Sequence, residues 1–150
     1  MSHIMGISQF ERLFRAAASL DVDKNDLKRM SDFLNKKVHD MLLMAQAKAK
    51  ANESPVIRKL DLPLTKGLQE SMHQFRKLDV ALEVEPILQQ LEKLPPMDLE
   101  YADDLVETLP DILGGLTYAL AKTFKIIDPT LKNPQTKDWD KAEALFDLLV

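Results

Sequence analysis

The chain has 150 residues, about the length of one domain, with 20 Lys and Arg against 24 Asp and Glu for a net charge of −4. Having no cysteine, it excludes a disulfide framework, a thiolate metal site and a cysteine nucleophile, and 29% charged residues with no long apolar run argue against a membrane protein. Four glycines, eight prolines and 6% aromatics ill suit an all-β protein, whose turns consume glycine and whose strands consume aromatic and β-branched residues, so the composition predicts an all-α chain.

Met1-Ser-His-Ile-Met5 has neither a positively charged stretch nor a long apolar one and does not read as a signal peptide. A cytoplasmic location is the expectation. Residues 1–4 read as an addition ahead of a natural start at Met5, and His3 is set aside from any site. Phe10, Leu13, Phe14 and Ala17 repeat at i, i+3, i+4, i+7, which predicts a short amphipathic helix over 7–19. Asp23, three residues ahead of Asp26, has the pattern of a carboxylate N-cap. Beyond it Leu27, Met30, Leu34, Val38, Met41, Leu42 and Ala45 keep helical spacing to about Glu53, a helix of roughly 43 Å at 1.5 Å per residue. Pro55 stops it. Residues 56–60 read as extended, Asp61 as the cap of a third helix opening at Pro63, and Leu64, Leu68, Met72 and Phe75 as that helix's buried stripe.

The plan then repeats. At an offset of 78, Leu27, Leu34, Val38 and Leu42 fall on Leu105, Ile112, Leu116 and Leu120. A short helix is expected over 81–94 with Ile87, Leu88 and Leu91 buried, followed by a Pro95-Pro96 break. The last helix is expected from Trp139 to Val150 with Ala142, Leu145, Phe146 and Leu149 inward. Pro110 should kink the second long helix or force an irregular start, and Gly114-Gly115 implies a close approach of another backbone. Met30, Met41, Met44 and Met72 read as core filler.

Charge divides unequally: residues 1–78 hold 14 Lys and Arg against 9 Asp and Glu, residues 79–150 hold 6 against 15. Such a split suits either a polyanion-binding face on one side or two halves that attract each other. Enzyme signals are weak. Glu70-Ser-Met-His73 has Glu-x-x-His spacing, but a di-iron site needs a second copy and His39 has Lys36 three residues before it. Gly6, Gly67, Gly114 and Gly115 fit no phosphate-binding loop. No catalytic residue, metal, cofactor or small-molecule substrate is expected, and the chain reads as a non-enzyme.

Short-long-short helices joined by brief extended loops resemble the histone fold. Val22–Ile57 can be laid without a gap on the archaeal histone pattern, Phe10-Glu-Arg-Leu-Phe-Arg15 resembles that family's first helix, and Ile57-Arg-Lys-Leu-Asp61-Leu62 its junction into the third. Residues 7–150 as a whole resemble the bacterial family in which two histone folds are fused in one chain. The resemblance implies a single domain made of two halves, 7–78 and 79–150, closed as an intramolecular pseudodimer. It implies that loop one of each half lies beside loop two of the other, and that DNA is gripped by these loop pairs and the first helices. Carried over, the DNA contacts are Arg12, Arg15 and Lys24, with Lys132, Asn133 and Lys137 on the facing loop. Arg58 and Lys59 are weaker candidates, because Ser54-Pro55-Val56 replaces the family's basic run and Asp98, Glu100, Asp103 and Asp104 should stand opposite. Implied partners are double-stranded DNA and a further copy docking through the third helices. The expected function is weak, sequence-indifferent DNA binding in the nucleoid, and the alternative is an interaction module that has lost the DNA surface.

Overall fold

In the computed structural model, which describes residues 7–150, the spacing of Phe10, Leu13, Phe14 and Ala17 winds Ile7–Ala18 into α1, with all four side chains buried. The reading of residues 1–4, His3 and Met5 lies outside the described residues. The second helix, α2 (Lys24–Ala51), opens on a reciprocal cap: Asp23 Oδ1 accepts from the Asp26 amide at 2.8 Å and Asp26 Oδ2 from the Asp23 amide at 3.2 Å. Its 28 residues make it about 42 Å long. It ends through Glu53, held at a left-handed φ of 55°, with Pro55 just beyond. Val56–Ile57 form a two-residue strand β1, Lys59–Asp61 a 3-10 turn, and Lys66–Lys77 the helix α3.

The remaining elements are α4 (Val84–Leu91), β2 (Glu100–Tyr101), α5 (Asp103–Ile127) and α6 (Thr136–Leu149). The described residues are thus mainly helical, with six α-helices and one two-stranded sheet. Burial follows the repeat found in the sequence, since Leu27, Leu34, Val38 and Leu42 and their counterparts Leu105, Ile112, Leu116 and Leu120 are all buried. β1 and β2 pair in parallel with Val56 opposite Glu100 and Ile57 opposite Tyr101. At the other end of the molecule, the Asp21 amide donates to the Lys132 carbonyl at 2.8 Å. Segments far apart in sequence therefore meet at both ends.

Several expectations are corrected. Asp61 does not cap the third helix: Leu62 is extended, as a residue before proline prefers, and Thr65 caps α3 by accepting from the Leu68 amide at 3.1 Å. The buried Asp61 carboxylate instead accepts from the Arg58 amide at 2.8 Å and closes its own 3-10 turn. α4 is shorter than 81–94: it starts at Val84, which puts Pro86 in the first turn where its missing N–H costs no intrahelical bond, and it ends at Leu91. Pro110 gives no irregular start, being the eighth residue of a continuous α5. Leu145 and Leu149 are exposed rather than inward, since Trp139, Ala142 and Phe146 define the buried face of α6 and these leucines lie on its flank. Met44 is exposed too, while Met30, Met41 and Met72 are core.

The Gly114-Gly115 pair lies where α3 packs along α5. A Cβ at Gly115 would stand 3.0 Å from the Met72 amide nitrogen and 3.1 Å from its Cα, and one at Gly114 would fall into the Phe75 ring. α6 is seated differently. Arg29 of α2 forks onto Glu143 (2.8 Å) and Asp140 (2.7 Å), and the buried Lys37 pairs with Asp147 at 2.6 Å. Trp139 stacks on Phe14 (centroids 6.1 Å apart) and meets Phe124 edge-on at 4.8 Å, tying α1, α5 and α6 into one core.

Candidate nucleic-acid interface

The resemblance assigns polyanion contacts to the exposed side of α1 and to the two places where loops meet. On α1, Arg12 is exposed, yet its guanidinium donates to the Asp79 carbonyl at 2.6 Å and lies 3.9 Å from the Asp79 carboxylate. Arg15 forms an ion pair with Asp21 at 3.0 Å. Both arginines therefore carry a carboxylate beside them, which a phosphate would have to displace or tolerate.

Lys24, Lys132, Asn133 and Lys137 are brought to one end, as the Asp21–Lys132 backbone bond requires. The cleft between these two loops, about 390 Å³, is lined by Asp21, Asp23 and Asp26 together with Asn25, Asn133 and Gln135, and among the described residues no Lys or Arg lines it. Burial holds the Asp26 carboxyl above the usual carboxylate range, and repulsion from Asp23 adds to this. On the facing loop, the Thr130 hydroxyl and amide hold Asp128 below that range, with Lys125 and Lys137 reinforcing the effect. Lys137 thus already faces a carboxylate. Lys24 and Lys132 are exposed and enter no ion pair among the described residues.

At the other end, β1 and β2 bring Arg58 and Lys59 beside the acidic stretch. Arg58 Nε lies 3.5 Å from Asp61, the Lys59 amide donates to Asp104 at 3.2 Å, and Lys50 pairs with Asp98. Glu100 and Asp103 are exposed alongside. The carboxylates at Asp21, Asp79 and Asp61 are the part that sequence reasoning missed at the arginines. Of the three, only Asp61 stands out in the sequence, and there as a helix cap.

The arrangement has counterparts. A family model described as a domain of unknown function (DUF1931) matches residues 10–147. The chain belongs to that family. Within reach of this DUF1931 chain in sequence is a protein of Aquifex aeolicus (strain VF5) described as an uncharacterized protein, 23% identical over 120 residues, or 80% of this chain and 70% of the relative. Among solved structures, a protein from Thermus thermophilus is 52% identical, with 98% of this chain and 99% of that one covered at a TM-score of 0.95. A second, from Aquifex aeolicus, shares the fold at 21% identity, covering 100% of this chain and 99% of that one at a TM-score of 0.83.

Proposed function

We propose that this DUF1931 chain is a doubled histone fold, with halves 7–78 and 79–150 closed on each other, that acts as a non-enzymatic protein-interaction module. The fold reading is supported by the short-long-short order of α1–α3 and α4–α6 and by loop pairs joining opposite halves at both ends. The observation that carries the function is the density of carboxylate on the surface that histones use for DNA. Asp79 and Asp21 hold Arg12 and Arg15, three aspartates line one loop cleft, and Asp98, Asp104 and Glu100 crowd the other loop pair. At α1 the carboxylates offset the arginines, and at the two loop pairs they oppose phosphate at short range.

A second reading, weak sequence-indifferent DNA binding, is favoured by one observation: Lys24 and Lys132 stand exposed at the same end, with Lys137 nearby. Two or three phosphate contacts would give a log K against log salt slope of about −2 to −3. A duplex-DNA titration across a salt series separates the two. The module reading expects no binding at about 150 mM salt, and at most a weak response near 20 mM that Lys24→Glu with Lys132→Glu abolishes. Binding that survives about 200 mM salt would overturn it. A further copy joined through α3 and α6 remains an expectation of the resemblance, to be read by sedimentation of the whole chain.

A further inference from the structure

α4 and the loop that follows it wall an apolar trough of about 480 Å³, with Leu88, Leu91, Met97, Leu99 and Tyr101 among its lining. The loop forming its floor is pinned from below by α2. The buried His39 donates from Nε2 to the Pro95 carbonyl at 2.7 Å, and the buried Gln46 accepts from the amides of Asp98 (2.6 Å) and Leu99 (3.0 Å). Lys50 adds an ion pair to Asp98 at the edge. Two buried polar side chains of the longest helix are thus spent on fixing one surface loop. A surface ordered in advance costs less to bind.

The charge of the trough is one-sided. Among the described residues, Glu92 and Glu100 are the only charged side chains that line it, both are exposed, and neither enters an ion pair. Exposed Glu83 and Glu85 extend the negative charge to the start of α4; of the two cations nearby, Lys50 is paired with Asp98, which leaves Lys93. Apolar walls with an acidic rim repel a phosphodiester backbone and attract a cationic chain that has apolar side chains to bury. We propose that this trough docks a short segment of another protein in which one or two large apolar side chains are flanked by Lys or Arg. The inference rests on the interaction-module reading and gives it a place and a partner chemistry.

The test uses the full isotopically labelled chain in about 150 mM salt, titrated with a twelve-residue amphipathic peptide of Lys and Leu. The expected result is amide shift changes confined to residues 88–102 and to the part of α2 beneath them. The double change Glu92→Lys, Glu100→Lys should weaken binding about tenfold or more with the melting temperature unchanged, and Met97→Asp should abolish it. Equal binding of a Glu/Leu peptide of the same pattern would overturn the proposal, as would shifts centred on the uncharged groove lined by Leu68, Leu116 and Leu149. Trough shifts produced by concentrating the chain alone would make a second copy the occupant and overturn it equally. Duplex DNA titrated in parallel keeps the failures apart: DNA binding at this salt defeats the module reading, whereas peptide arms that fail without DNA binding defeat only the trough.

Discussion

Asp61 is buried to 2% exposure because its carboxylate closes the turn it ends, accepting from the Arg58 amide. Asp61→Ala strands that amide, so a loss of about 1–3 kcal/mol is expected, seen as a melting point lower by roughly 3–10 °C, with a smaller loss for Asp61→Asn. An unchanged melting point would remove the role. The sequence marked this aspartate as structural but assigned it to the wrong element, since the extended preference of Leu62 ahead of Pro63 delays α3 to Lys66. The arginines teach the complementary point. Arg12, Arg15 and Arg58 are visible as cations in any sequence, but Asp79 reaches Arg12 from 67 residues away. No local pattern announces such a neighbour.

The two outer helices combine apolar packing and ion pairs in different proportion. α3 lies on α5 by close approach, and Gly115→Ala would gain about 1 kcal/mol of helix propensity but push a methyl against the Met72 backbone. The clash should win, with a net loss of about 1–3 kcal/mol in denaturant unfolding. α6 adds ion pairs with α2 to the apolar contacts of Trp139 and Phe146. The carboxylates of Glu143 and Asp140 hold the Arg29 guanidinium well above its ordinary pKa. Arg29→Ala should cost about 1–2 kcal/mol, with high salt already weakening the same contact in the unaltered chain. Trp139, the one tryptophan, is buried near the start of α6, so a red shift of its emission ahead of global unfolding would report α6 leaving first. Coincident transitions by fluorescence and circular dichroism would show α6 unfolding together with the shared core. The glycine pair was legible in sequence as a close approach; which helix approaches was not, because spacing along one helix is silent about its neighbour.

At the scale of the whole molecule, the first three helices and the last three pack on one another. α3 rests on α5, α6 on α2, and α1 on α5, so each set supplies the other's core. Residues 1–78 made alone are therefore expected to aggregate or to pair with a second copy of themselves. A soluble, folded monomer by sedimentation would contradict the interleaved core.

Taken alone, the sequence determined the helical class, the short-long-short order, the repeat at 78 residues and most of the buried stripes, because these follow from the 3.6-residue period and from where proline and capping residues fall. The tertiary structure alone decided which charges are matched and which apolar side chains stay outside. Leu145, Leu149 and Met44 have the right residue type for a core but lie off the face their helices bury. The fourteen cations of the first 78 residues read as a surface for anions, yet the fold draws acidic side chains against Arg12, Arg15, Arg29, Lys37 and Lys50. Charge is summed along a chain but felt through space, and the packing of the helices sets those distances.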